Sequence, residues 1–375
     1  MTSKRAFMTG MATVAAWPVA AAADPVMQAV EVAVAAFDRT CPQSTGFSLG
    51  VLHTGRTWRV NHGHVAPGAT AAPTSRTLYP IASITKTFTG LLLAQAQVEG
   101  RLQLDDDIRK YLDGDYPNLE FEGHHIRLFD LVDHRSGLPF LLPDRPETRP
   151  GPEAPGVFTA RLAEILKTYR RQDFYADLRT VRLKAAPGNQ FSYSNAGATL
   201  AGYILERIYG LPYEALVLTR IAMPVGMTDT TITLSPDQAR RLVKGYDAMG
   251  IAMPDNPDAI GAAGALKSTL DDMLKYAAWQ MAESDPAVRL SHRSYTGEGS
   301  YQAGLNWQML NTNGRRLIWQ SGNIEGFHSY CIVQPELQLG LVALFNQADG
   351  QSNPAHDALV NAILKGIEPN AVLLP

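Results

Sequence analysis

The sequence predicts an α+β fold: an antiparallel sheet flanked by helices, with an all-helical segment inserted between the first hairpin and the remaining strands. Three observations carry this. A hairpin pattern lies near the start, with Phe47 to His53 and Thr57 to Asn61 around a Thr54-Gly55-Arg56 turn. Strand signals nearly vanish from about Leu112 to Asn256. They then return as four closely spaced runs at Gly304–Leu310, Arg316–Gln320, Phe327–Gln334 and Leu339–Phe345. With 375 residues, 45% of them hydrophobic and 18% charged, the chain can bury a large core. The expected division is an α/β part of about 24–100 and 257–375, with a helical part of about 101–256.

The elements follow in order. Lys4 and Arg5 precede an apolar run from Ala6 to Ala22, and Ala21-Ala22-Ala23 offers a small-residue cleavage site before Asp24. That is a secretory signal pattern, residues 1–23, and it places the mature protein in the periplasm or outside the cell with no span left after cleavage. Val26 to Phe37 has helical spacing. Pro67 to Pro80 reads as loop. A helix then carries Phe88, Leu91, Leu92 and Ala96 on one side and stops at Gly100. Asp105–Leu112, Ile126–His134, Thr159–Arg171, Ser194–Tyr209 and Tyr213–Ile221 read as helices, and the Pro-rich stretch from Asp144 to Pro155 as loop. Gly261 to Leu266 is small and Gly-rich and reads as a tight strand. Ser268-Thr269-Leu270-Asp271 is a capping box opening a helix to about Met281. Asn313-Gly314 turns the first strand pair of the late sheet, and Pro354 to Lys365 closes the chain as a helix.

Composition excludes some functions. A net charge of −3 gives no electrostatic case for nucleic acid. His62 with His64, and His124 with His125, lack acidic or thiol partners at metal-ligand spacing, so neither a metal nor another cofactor is implied. The two cysteines, Cys41 and Cys331, read as separate buried thiols, although export would permit a disulfide. The expected partner is a small-molecule or peptide substrate, met by a monomer.

Three stretches carry chemistry. In Ser83-Ile84-Thr85-Lys86 a hydroxyl and an amine sit three apart at a helix start, where Lys86 can reach Ser83. A serine is a poor nucleophile until a base takes its proton, and a helix N-terminus suits a developing oxyanion. Tyr193-Ser194-Asn195 puts a phenol just before a helix, where it can shuttle a proton to a leaving group. The Asn195 amide can bond both a substrate carbonyl and the lysine. Gln320-Ser321-Gly322-Asn323 ends a strand whose edge can bind an extended substrate through the main chain.

In this order the three stretches resemble the motifs of the class C β-lactamase family, which includes D-alanyl-D-alanine carboxypeptidases and esterases of the penicillin-recognising fold. Asp130-Leu131-Val132-Asp133-His134-Arg135-Ser136-Gly137-Leu138-Pro139, Pro224-Val225-Gly226-Met227, Gly261 to Met273 and Gln334 to Asn346 resemble further family segments. Leu183 to Gln190 and Ser235 to Gln238 look most like the carboxypeptidase/endopeptidase branch. The resemblance implies a serine hydrolase acting through a Ser83 acyl-enzyme on β-lactams or D-Ala-type peptides. It implies that Lys86 and Tyr193 share proton transfer and that Asn195 positions Lys86 and the substrate. It further implies an oxyanion hole from the N–H groups of Ser83 and Asn323, with Ser321 and Asn346 on the substrate's carboxylate side.

One residue departs from the pattern. Where the family usually carries Lys or His, this chain has Gln320, which keeps hydrogen bonding and loses the charge. That moves weight toward an esterase or amidase with the same machinery, and leaves a non-catalytic binder of muropeptides or penicillin as a third reading. Arg316 shares a strand face with Gln320 but sits four residues away.

Overall fold

The helix α1 (Pro25–Thr40) starts after Asp24, whose carboxylate accepts the Val26 N–H at 3.0 Å. It leads into the hairpin β1 (Gly46–His53) and β2 (Arg56–Gly63), a short β3 (Leu78–Pro80), a 3₁₀ turn at Ala82–Ile84 and α2 (Thr85–Val98). The computed structural model describes residues 24–41, 45–350 and 352–375, so the signal-like stretch 1–23 lies outside them.

The middle of the chain contributes no strand to the large sheet. It holds a small hairpin, β4 (Glu120–Phe121) and β5 (His124–His125). The helices there are α3 (Leu128–Val132), α4 (Val157–Leu166), α5 (Arg171–Leu178), α6 (Asn195–Tyr209), α7 (Tyr213–Val217), α8 (Met223–Val225) and α9 (Pro236–Arg241). The chain then returns through β6 (Lys267–Thr269), α10 (Leu270–Ala282) and α11 (Pro286–Ser291). The strands β7 (Thr296–Glu298), β8 (Tyr301–Ala303), β9 (Gln308–Thr312), β10 (Arg315–Ile324), β11 (Phe327–Gln334) and β12 (Leu339–Phe345) follow, and α12 (Asn353–Ile367) completes the order.

Eight strands form one sheet in the order β2-β1-β12-β11-β10-β9-β8-β7, all neighbours antiparallel. Its centre is covered on both faces. Phe47, Leu49 and Val51 of β1 pack with Leu341, Ala343 and Phe345 of β12 under α1 and α12. The alternate residues Leu52, Val342 and Leu344 join the core shared with α2, α10 and the helical segment. A sheet buried on both faces takes apolar residues at consecutive positions, as β12 does, and the buried His328, Ser329 and Gln334 of β11 are each hydrogen-bonded. No helix among the described residues is long and apolar enough to cross a membrane.

Several expectations change. Gly261 to Leu266 is not a strand. Asp258–Ala263 forms a 3₁₀ turn, with Gly261 at φ +45°, and the strand is the next segment, β6, paired with β3. The small residues serve close packing instead: a Cβ on Gly202 of α6 would sit 2.5 Å from the Cβ of Ala262. β3 itself falls inside the stretch read as loop. Asp105–Leu112 holds only a 3₁₀ turn at Ile108–Tyr111, and the helix expected from Ile126 to His134 is limited to α3. Thr159–Arg171 resolves into the end of α4 and the start of α5. The strand expected at Gly304–Leu310 begins only at Gln308, because Asn306 takes φ +61°. β10 runs past Gln320 to Ile324, so Ser321-Gly322-Asn323 lies within a strand. Cys41 and Cys331 are separate free thiols as expected, but only Cys331 is buried, and burial pushes its thiol up to about 12.

Between β11, β12 and α12 lies a buried polar cluster. Tyr330 donates its hydroxyl proton to Asp357 at 2.6 Å, so its oxygen accepts from His328 Nδ1 at 3.2 Å. His328 Nδ1 also lies 3.2 Å from His356 Nδ1, and the His356 ring stacks on Phe345 with centroids 3.9 Å apart. Burial lowers His328 to about 4. Burial first, and the neighbouring His328 second, lower His356 to about 3. Below the ordinary value of 6.5 the unfolded chain therefore binds protons that the folded chain refuses. The associated stability is fully present above that value and is lost as pH falls from 6.5 toward 4, at about 1.4 kcal/mol per pH unit for each imidazole. His356→Gln should lower the urea midpoint at neutral pH and flatten its decline between pH 6.5 and roughly 5 by one proton's share. A decline with unchanged slope would show that His356 is not held neutral.

Candidate active site

The site is built where the turn at Ala82–Ile84 meets β10 and the start of α6. Ala82 takes φ +47°, a left-handed conformation costing a non-glycine residue about 1 kcal/mol. Surrounding contacts hold it. The Ile81 N–H donates to Leu266 O at 3.0 Å, and Ser329 Oγ of β11 donates to Ile81 O at 3.0 Å. The strained turn presents Ser83, and α2 continues behind it with Lys86 wholly buried.

The structure brings three predicted residues into contact. The hydroxyls of Ser83 and Tyr193 are 2.6 Å apart. Lys86 Nζ donates to Ser83 Oγ at 3.1 Å and to the carbonyl of Ala263 at 2.5 Å. It also lies 4.8 Å from the centre of the Tyr193 ring. Asn306 Nδ2 donates to Lys86 O at 2.8 Å, fixing the first turn of α2 from the sheet side. Ser83 Oγ therefore touches two groups that can exchange its proton.

Tyr193 is fixed by the chain around it. Ser194 caps α6, accepting the Gly197 N–H at 2.9 Å and donating its own hydroxyl to Pro139 O at 2.6 Å. The Asn195 N–H donates to Phe140 O at 2.8 Å. His134 lies behind, its ring centre 4.2 Å from that of Tyr193, and its Nδ1 accepts the Ser194 N–H at 3.2 Å. Burial first, and Lys86 second, hold His134 down at about 3, so it is neutral at ordinary pH and carries its proton on Nε2.

A cavity of about 510 Å³ opens in front of Ser83. Asn195, Gln320, Ser321 and Asn323 line it with Ser83 and Tyr193. The Asn195 side chain makes no hydrogen bond to Lys86, whose partners are Ser83 and Ala263. Gly322 lies beneath the turn rather than on the cavity wall: a Cβ there would meet Ile81 O at 2.3 Å, Ser329 Oγ at 2.5 Å and Ala82 Cβ at 3.0 Å. Asn346 is not brought to the cavity. It is buried, donates to Val65 O at 2.8 Å and Lys244 O at 3.1 Å, and accepts from Thr45 Oγ1 at 3.1 Å. Its amide is consumed in joining β12 to two loops.

Gln320 is held in place by its neighbours. Its Nε2 donates to Asn306 O at 2.8 Å, and its Oε1 accepts from Ser321 N at 3.0 Å and Gln308 Nε2 at 3.3 Å. Arg316 supplies no free charge, because Glu283 (2.7 Å) and Glu336 (2.6 Å) pair with it. Glu325 is also engaged, accepting N–H groups of Gly156 (2.9 Å) and Thr159 (3.2 Å) at the start of α4. Among the described residues no Lys or Arg lines the cavity.

Sequence reasoning missed the apolar wall made by Phe140, Leu141, Phe158, Leu162 and Ile260. These positions come from a loop, a helix and a 3₁₀ turn far apart in the chain, and no local pattern joins them. It also missed Ala263 O as the partner of Lys86, since a backbone acceptor leaves no side-chain signature.

A family model described as Beta-lactamase matches residues 34–365. The D-alanyl-D-alanine-carboxypeptidase/endopeptidase AmpH of Escherichia coli (strain K12) is 30% identical over 316 residues, covering 79% of this chain and 78% of the relative. A protein named Beta-lactamase from the same strain is 25% identical over 364 residues, covering 86% of this chain and 89% of the relative. A crystal structure of a β-lactamase/D-alanine carboxypeptidase from Yersinia pestis, complexed with citrate, superposes with a TM-score of 0.76 at 23% identity, covering 91% of this chain and 98% of its own. A counterpart from Pseudomonas syringae gives the same TM-score at 20% identity, covering 91% and 99%. At these identities the two structures speak for the fold.

The packing of Gly322 yields a prediction. Gly322→Ala forces β10 away from the Ser83 turn, because the nearest atom is a backbone oxygen that cannot swing aside. We expect a loss of about 2 kcal/mol in stability with a fall in kcat/KM, measured by urea unfolding and turnover of an activated ester. Unchanged values for both would contradict the close approach.

Proposed function

The chain belongs to the β-lactamase family of serine hydrolases, and from that premise we propose that it is an exported, monomeric hydrolase working through an acyl-enzyme on Ser83. The observation that carries this reading is the contact of one hydroxyl with both a buried lysine and a phenol. Ser83 Oγ attacks the substrate carbonyl carbon while its proton passes to the Tyr193–Lys86 pair. The N–H groups of Ser83 and Asn323 receive the oxyanion. As the bond to the leaving nitrogen or oxygen breaks, Tyr193 delivers a proton to it. Water then attacks the Ser83 ester, loses its proton along the same route, and releases the acid. Asn195 orients the acyl group from the cavity wall.

The substrate reading is a D-Ala-type peptide, supported by the name of the 30%-identical relative, or a β-lactam, supported by that of the family model. One observation favours a second reading, an esterase or amidase. Gln320 is neutral, and among the described residues none lining the cavity is a Lys or Arg that could meet a carboxylate beside the reacting bond. Incubation with a fluorescent penicillin and with a p-nitrophenyl ester separates the two. Ser83→Ala should lose labelling and at least about 10³-fold in turnover, and Tyr193→Phe should lose about 10²-fold in kcat. A wild-type protein that neither labels nor turns over any acyl donor would be a binding protein.

Gln320→Lys tests the missing charge. It removes the acceptor used by Gln308 and Ser321, so absolute rates should fall. The ratio of kcat/KM for a carboxylate-bearing donor over its neutral amide should nevertheless rise about tenfold. An unchanged ratio would mean that no carboxylate lies near residue 320.

A further inference from the structure

A second cleft, of about 630 Å³, backs onto the active-site cavity. The partition between them is thin. Phe140 lines both, and Ser192 faces the cleft while the next residue, Tyr193, faces the cavity. Their charges are opposite in character. Among the described residues the cavity is lined by Glu153 and Glu325 and by no Lys or Arg. The cleft gathers Arg145, Arg149, Arg182 and Lys184, with Asp144 and Asp177 as its acids.

One of these acids is paired with a cation and the other with a phenol. Asp144 pairs with Arg149 at 2.7 Å, and Asp177 accepts from Tyr169 Oη at 2.7 Å. Among the described residues no ion pair joins Arg145, Arg182 or Lys184 to a carboxylate, and all three are exposed. Three unpaired cations around one polar cleft, in a chain of net charge −3, form a local positive field of the kind that recruits an anion. Arg182 and Lys184 lie two apart in an irregular segment between α5 and α6 with buried Leu183 between them, so both side chains leave the same side of the chain.

We propose that this cleft binds carboxylates carried by the acyl donor away from its reacting bond, so that the enzyme selects acidic peptide donors. The donor is neutral where it meets Gln320 and acidic where it reaches Arg145, Arg182 and Lys184. This rests on the acyl-enzyme reading and adds a substrate class to it: peptides with two or more acidic side chains or free carboxylates next to the residue that acylates Ser83. Carboxylate recognition is then displaced from the sheet edge to the far side of Phe140.

The test uses a matched pair, N-acetyl-Glu-Glu-D-Ala and N-acetyl-Gln-Gln-D-Ala, each as a thioester for turnover and as a free acid for binding. The wild-type protein should prefer the acidic thioester in kcat/KM, and added salt should shrink the preference. Arg182→Ala/Lys184→Ala should reduce the acidic-over-neutral ratio about tenfold, and Arg145→Ala should reduce it further. A wild type without preference, or a ratio unmoved by these substitutions, overturns the proposal. Calorimetry of the two free acids with Ser83→Ala separates this result from failure of the acyl-enzyme reading. Tighter binding of the acidic peptide that Arg182→Ala/Lys184→Ala abolishes supports the cleft even if no thioester is hydrolysed. Equal binding of both peptides, or acidic-peptide binding indifferent to the cleft substitutions, overturns it.

Discussion

The site depends on one close approach, that of β10 to the turn holding Ser83. Two pieces of backbone meet there at a distance that admits no side chain at residue 322. The approach is tied by Ser329 Oγ on Ile81 O and by the Ile81 N–H on Leu266 O, so three elements fix the turn from three sides. Only such support keeps Ala82 in a left-handed conformation. Because the strain sits one residue before the nucleophile, loosening any tie would let Ser83 relax away from Tyr193. A serine placed by relaxed helix geometry alone would be free to choose rotamers that miss the phenol.

The second constraint is where Lys86 ends. Its carbon chain is buried, and its Nζ finds a backbone carbonyl at Ala263 and the Ser83 hydroxyl in place of a carboxylate. That geometry needs the 258–263 turn to come close to α2, where Thr89 Oγ1 also donates to Ala262 O at 3.0 Å. The packing that holds Lys86 therefore belongs to a segment read as strand from its composition. Glycine and alanine are ambiguous in this way: they fit a tight strand and a tight turn equally well, and only the partner helix decides.

What was legible in the chain follows from how local each signal is. α6 was read to its ends because Ser194 caps it and Gly210 takes the left-handed stop, both encoded within the helix itself. β12 was read because its burial leaves an apolar run broken only by Gly340, and β11 because residues 330–333 form a shorter one. α5 escaped because only Phe174 and Leu178 of its eight residues are buried, too few for a periodic stripe. β7 and β8 are three residues each at the sheet edge, below the length at which alternation can be recognised. The Ser83, Lys86 and Tyr193 stretches stood out as motifs, yet their contact is a tertiary fact. Asn346 was misplaced for the same reason. An amide at a strand end reads as available until Val65, Lys244 and Thr45, all remote in sequence, take its bonds.

Gln320 shows why a neutral site here is more than one altered residue. Its oxygen accepts from Gln308 and Ser321, and its nitrogen donates to Asn306 O, so both ends of the amide are engaged. A lysine could keep the donation but offers no acceptor, and would leave two donors short of a partner in a mostly buried place. The neighbours are thus matched to an amide and opposed to a cation. Arg316, the nearest cation on the strand's face, is neutralised by two glutamates. Neutrality at residue 320 is thus a property of the local network of Gln308, Ser321 and Asn306 rather than of one side chain.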